Sequence, residues 1–109
     1  MIRIEVVTPR NHVKAISEGL KEINVGGVTA LKVRGRGKTE APKIHAFLGT
    51  EIFTPEFSEK YLVQVVVPEN KENDVIRIVR ENSKIGKIFI SQLTRAIDIT
   101  TGIENEQAI

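Results

Sequence analysis

The chain has 109 residues, which suits one domain with a modest core and is too short for two independently folded ones. Its 40% hydrophobic and 28% charged residues argue against a disordered or fibrous polypeptide, and no apolar run reaches the roughly 20 residues of a membrane span. With no cysteine, disulfides, thiolate metal sites and Cys nucleophiles are excluded, and 16 basic against 14 acidic residues, a net +2, demand no nucleic-acid partner.

Met1-Ile2-Arg3-Ile4-Glu5 puts charge where a signal peptide needs apolar residues, so the expected location is the cytoplasm. Ile2 to Val7 alternates and then fills with β-branched residues, as in a largely buried strand that Pro9 ends. From Asn11 the period becomes helical, with Val13, Ile16, Leu20 and Ile23 on one stripe. Asn11 is the expected N-cap, and Asn24 with Gly26-Gly27 tolerates a left-handed stop. Val28 to Val33 is a second strand, with Thr29, Leu31 and Val33 on one face, and it runs into Arg34-Gly35-Arg36-Gly37-Lys38.

Thr39 to Glu59 holds Pro42, Gly49 and Pro55 and no sustained period. It reads as one long loop with short extended pieces, a length that points to function or disorder. Tyr61 to Val67 is a near-continuous apolar run, typical of a central strand, closed by Pro68. A second helix is predicted from about Asn70 to Asn82, with Val75, Ile78 and Val79 inward, Ile76 flanking and Asp74 near the positive end of the dipole. Lys87 to Ile90 is a fourth strand. Leu93 to Gly102 predicts a short helical turn and then an edge strand at Ile97-Asp98-Ile99-Thr100.

The order β-α-β-loop-β-α-β predicts a single α+β domain over residues 1–109, a ferredoxin-like sandwich with both helices on one sheet face. The long loop, about residues 38–60, would project from the hairpin of the second and third strands. Val65-Val66-Val67 and Ile88-Phe89-Ile90 place apolar residues on both faces, so the second face is expected to meet another subunit.

Arg34-Gly35-Arg36-Gly37-Lys38 is the sharpest local motif: two glycines permit positive φ and close approach, and three cations neutralise an anion. A hairpin exit with solvated charges fits it equally well. It is not a P-loop, because no Gly-Lys-Ser/Thr opens a helix. Ser83-Lys84-Ile85-Gly86-Lys87 is a second basic turn. His12 falls in the first turn of a helix, where a solvated role is expected; His45 lies in the loop. Glu40, Glu51, Glu56 and Glu59 have no fixed separation that would make a catalytic pair, so no enzymatic constellation is present. Phe47, Phe53 and Phe57 in the loop are candidate anchors for a partner protein.

Five segments in order resemble the PII nitrogen-regulatory signalling proteins: Thr8-Pro9, Gly26 to Thr29, Val33 to Gly37, Ile85 to Ile90, and Ala96 to Gly102 followed by Glu106 to Ile109. The resemblance implies a homotrimer with inward-facing sheets and a T-loop that touches a target enzyme or membrane transporter. It also implies ATP or ADP between subunits, with 2-oxoglutarate sensed through Mg-ATP. Thr29, Gly35, Gly37, Lys38, Gly86 and Lys87 match nucleotide-site positions of that family.

Four departures accompany the match. The turn at Ser83–Lys87 is two residues shorter than the family's B-loop, and Asp98 and Thr100 stand where the family has two phosphate-reaching arginines. Thr39 stands near the glutamine that helps hold Mg and 2-oxoglutarate, and Ile52 replaces a tyrosine that some members have uridylylated. The expected function is a divergent regulator in nitrogen or carbon metabolism. Its response to 2-oxoglutarate and to a small anionic effector (ATP, ADP or AMP) would be weakened, altered or lost, and no cofactor or metal is required. The alternatives are a trimeric interaction module that keeps the fold without the ligand, and a CutA-like metal-binding trimer resting on His45 and the loop carboxylates.

Overall fold

The computed structural model describes residues 1–38, 44–45, 52–53 and 56–109. Their elements are β1 (Ile2–Thr8), α1 (Arg10–Glu22), β2 (Thr29–Gly35), β3 (Ile44–His45), β4 (Ile52–Phe53), β5 (Ser58–Val67), α2 (Glu72–Asn82) and β6 (Lys87–Gln92). Two 3₁₀ turns lie at Glu69–Lys71 and Asn105–Ala108.

Alternation in β1 and β5 decides which face is buried. Ile2, Ile4 and Val6 register with Val67, Val65 and Val63, and all six are buried beneath Ile16 and Leu20 of α1 and Val75, Ile78 and Val79 of α2. Each such side chain contributes about 1.5–3 kcal/mol of transfer free energy, so this single layer is the main source of stability. β6 pairs with the other side of β1, and β2 with the outer side of β5, giving an antiparallel sheet of order β2-β5-β1-β6. This is the ferredoxin-like α+β topology. The two helices meet at Gly19, where a β-carbon would stand 2.6 Å from Cγ2 of Ile78.

The helix boundaries follow local chemistry. α1 starts at Arg10 and not after Asn11: Pro9, with φ −64° and ψ 153°, occupies the cap position, and no side chain caps the helix. Its end is the left-handed Asn24 (φ 62°), and Lys71 Nζ donates to the carbonyl oxygens of Ile23 (2.8 Å) and Asn24 (3.3 Å). A cation there offsets the negative end of the helix dipole. α2 follows the Glu69–Lys71 turn and carries Glu72 and Asp74 in its first turn, as the dipole favours.

The face away from the helices is mixed and not uniformly apolar. Leu31 is 50% and Phe89 56% exposed, and Leu62 and Val66 share their face, but Arg3, Glu5 and Gln64 lie among them. Arg3 Nε stands 3.1 Å from Glu5 Oε1. It lacks the alignment of a hydrogen bond, so the contact is an ion pair without a directed bond.

The tail differs from its sequence pattern. Residues 93–96 form no helical turn, and in place of an edge strand there is one antiparallel bridge, Ile97 to Glu104, around a tight turn. Asp98 causes this. Its Oδ1 accepts hydrogen bonds from the Thr100 amide (2.9 Å), the Thr101 amide (2.9 Å) and the Thr101 hydroxyl (3.0 Å). Among the described residues no helix is long and apolar enough to cross a membrane.

Candidate functional site

The neck of the long loop is the hairpin of β2 and β5, where Gly35 pairs with Ser58 and Arg34 with Glu59. Neither Gly35 nor Gly37 has a positive φ, so the left-handed turn expected of this motif is absent; Gly35 is the last residue of β2 and Gly37 lies two residues beyond it. Two of the local cations are already matched. Arg36 Nη1 lies 2.6 Å from Glu56 and Lys32 Nζ 3.2 Å from Glu59, both exposed and each worth under about 1 kcal/mol. Arg34 and Lys38 make no ion pair among the described residues.

The turn from α2 into β6 is built more tightly. Gly86 has φ +137°, and a β-carbon there would collide with the carbonyl oxygen of Val7. Ser83 Oγ lies 2.7 Å from the hydroxyl of buried Thr8 and 3.1 Å from Nδ1 of His12, and it donates to the Ile85 carbonyl at 3.0 Å. The turn is therefore fastened to the junction of β1 and α1, and Lys87 begins β6 opposite Val7.

One chain does not bring these two motifs together. Gly35, Gly37 and Lys38 leave the end of β2, and Gly86 and Lys87 enter β6, at the same end of the sheet but on its two opposite edges. Three inter-strand steps alone separate them by about 14 Å across the sheet, and Lys87 is level with Leu31 and not with Gly35, so one phosphate cannot span them. Thr29 lies further down β2, paired with Gln64, beside a cavity of about 550 Å³ that Gly27, Val66, Lys71 and Glu106 also line.

Phe57 is 46% exposed at the loop neck, where a partner can reach it. Phe53 pairs with Ile44 through the backbone of the β3–β4 ribbon, and His45 pairs with Ile52. Phe47, Thr39, Glu40 and Glu51 lie outside the described residues. Glu56 and Glu59 are held in ion pairs with Arg36 and Lys32.

Asp98 faces its own turn. The Thr101 amide and hydroxyl and the Thr100 amide hold its carboxyl below the usual range, with slight burial opposing them. Three donors of the turn thus converge on one of its two carboxylate oxygens.

A family model described as Nitrogen regulatory protein P-II matches residues 1–103. The chain belongs to the P-II nitrogen-regulatory family. A Nitrogen regulatory protein P-II from Haemophilus influenzae is 32% identical over 114 aligned positions covering all of both chains. Those from Pasteurella multocida and, as P-II 1, from Escherichia coli K12 are each 29% identical over the same full coverage. The solved structure of B. subtilis GlnK superposes with a TM-score of 0.78 at 25% identity, covering 99% of this chain and 97% of that one. P-II proteins are signalling regulators and not enzymes, and this chain shares that role.

Within this P-II chain, sequence reading passed over Thr8 and His12 as site-building residues. Thr8 was legible only as part of a Thr-Pro strand end, and His12 as a solvated helix residue. The signal that joins them is a Ser83 partner more than 70 positions away, which no local pattern encodes.

Proposed function

We propose that the chain is the subunit of a homotrimeric, cytoplasmic P-II-type signal transducer. Through loop 38–60 it controls a target enzyme or membrane transporter in nitrogen or carbon metabolism. The observation that carries this reading is the separation of the loop neck and the α2–β6 turn on opposite edges of one sheet end. When unlike edges of identical chains meet, the contact is heterologous, and a three-fold rotation closes it into a ring. Each junction then sets Gly35, Gly37 and Lys38 of one copy near Gly86 and Lys87 of the next, with Thr29 below. An anionic effector of the ATP, ADP or AMP class bound there touches the base of the loop. A preference of a few kcal/mol for one loop state is enough to switch its grip on a target. Phe47, Phe53 and Phe57 are the apolar groups such a loop offers.

Asp98, Thr100 and the shortened turn favour an altered effector response, because two phosphate-reaching cations of the family are missing. The same residues support a second reading, a ligand-independent trimeric interaction module. Calorimetric titration with ATP, ADP, AMP and 2-oxoglutarate, alongside sedimentation, separates the two. Saturable binding to a trimer is expected; a trimer silent to all four supports the second reading, and a monomer removes both.

A further inference from the structure

A histidine enters the hydrogen-bond network that holds the α2–β6 turn. The backbone amide of His12 donates to the Pro9 carbonyl at 3.2 Å, and its ring Nδ1 stands 3.1 Å from Ser83 Oγ. The same oxygen lies 2.7 Å from Oγ1 of buried Thr8 and 3.0 Å from the carbonyl oxygen of Ile85, the residue before Gly86. Three short contacts therefore share one serine hydroxyl.

A hydroxyl has one hydrogen to donate and two lone pairs with which to accept. When Nδ1 carries hydrogen, all three contacts are hydrogen bonds: His12 and Thr8 donate to Ser83 Oγ, and Ser83 donates to the Ile85 carbonyl. When Nδ1 is bare, the single serine hydrogen goes either to Nδ1 or to Ile85, and the other contact sets two acceptors face to face. Thr8 replaces the lost bond only weakly, since its hydroxyl is 3.4 Å from the Ile85 carbonyl. The imidazolium always carries hydrogen on Nδ1, whereas the neutral ring does so in one of its two tautomers.

The charges on the elements that meet at His12 are mostly cationic. Arg10 and Lys14 flank it on α1, Lys84 and Lys87 stand on the turn, and Arg80 lies in the last turn of α2. Glu81 of that helix end is paired with Arg77, and Val6-Val7-Thr8 of β1 brings no charge. Among the described residues His12 forms no ion pair, so Ser83 is the group that registers the state of its ring.

We infer that His12 is a proton-sensitive positioning residue of the α2–β6 turn. Gaining a proton fixes the donors in the order His12 to Ser83 to Ile85; losing it lets the order reverse and frees the Ile85 carbonyl beside Gly86. Imidazole is the side chain whose charge ordinarily changes between about pH 5 and 8, so the turn tightens toward the acid side of that range. The regulatory meaning rests on the reading of this turn as part of the effector site. Acidification both fixes the turn and adds a positive charge beside it, which holds an anionic effector more firmly.

The test is an NMR titration of the whole chain, without ligand, from about pH 8 to 5. The His12 ring resonances and the amides of residues 85–87 are expected to move on one shared curve, with the Thr100 and Thr101 amides as a still reference. His12→Asn keeps an N–H donor without a titrating ring and leaves His45 in place; amides 85–87 are expected to lose their pH dependence. Ser83→Ala keeps the ring and cuts the connection, so His12 is expected to titrate without those amides following. Amides that stay still in wild type, or that move as much in either variant, overturn the inference. Calorimetry with ATP at both ends of the titration separates it from the effector reading. The gain in affinity on acidification is expected to be about threefold larger in wild type than in His12→Asn, a ratio that cancels the titration of ATP itself. Equal gains overturn the regulatory meaning. If the turn follows the ring but no ATP binds, the effector reading falls and the positioning role of His12 stands.

Discussion

Gly86 sits against the carbonyl of Val7 so closely that no β-carbon fits between them. Its φ of +137° is in addition a conformation that residues with side chains rarely adopt. Through this contact the basic turn is locked to the end of the central strand. Gly86→Ala is expected to destabilise the fold by roughly 2–4 kcal/mol, read from the urea midpoint. A loss below about 0.5 kcal/mol contradicts the contact.

Ser83 is the second fastening. In Ser83→Ala, Thr8 Oγ1 keeps only its 3.4 Å contact with the Ile85 carbonyl, and a buried hydroxyl so weakly satisfied costs about 1–2 kcal/mol. Thr8→Val removes the same bond from the other side. The double variant is expected to lose less than the sum of the two, with a coupling of at least about 0.5 kcal/mol. Strict additivity in a denaturation cycle removes the shared bond.

Asp98 gives the tail its pH dependence. Its carboxyl is held below the ordinary 3.8 by the donors of Thr101 and Thr100, so the folded turn prefers the charged form. The stability it contributes is therefore full above the unfolded value and fades as pH falls through the lower folded value. Thr100 and Thr101 amide shifts are expected to stay constant from pH 8 to about 5 and to titrate with a midpoint under 3.8. A midpoint at or above 3.8 contradicts the turn geometry.

The proposed trimer puts the outer sheet face at its subunit contacts. Phe89 and Leu31 lie exposed on strands at its opposite edges, on a face that also carries the Arg3–Glu5 pair, Gln64, Thr29 and Ser91. Phe89→Asp places a charge where a partner copy packs, which costs several kcal/mol if that face is buried. Sedimentation equilibrium is expected to show a trimer for wild type and a species of 12.2 kDa for the variant. Equal masses for the two remove this face from the interface.

The sheet and helices were legible because their signals are local and strong. Ile2, Ile4 and Val6 in β1 and Val63, Val65 and Val67 in β5 alternate inward, and Val75, Ile78 and Val79 recur at helical spacing. The tail was misread because Ile97, Asp98 and Ile99 alternate like a strand. One carboxylate with three donors at hand outweighs that pattern and leaves Ile99 fully exposed at the turn. The start of α1 shifted because Pro9 fixes the chain before Asn11 has a role. At the candidate site the motifs were visible as glycines and cations, but their partners were not. Arg36 with Glu56, Ser83 with Thr8 and His12, and Gly86 with Val7 are all contacts between distant segments. Positive φ was expected at Gly35 and Gly37, yet it occurs at Gly86, because strand pairing holds Gly35 extended while the α2–β6 turn must pass Val7.

The central claim is that the effector site exists only between copies, since one chain keeps its two halves on opposite edges of the sheet. Calorimetric titration of ATP into wild type and into Phe89→Asp, run in parallel, tests it most directly. One nucleotide per chain bound by the wild-type trimer and none by the monomeric variant is the expected result. Equal binding by both, or no binding by a trimeric wild type, contradicts it.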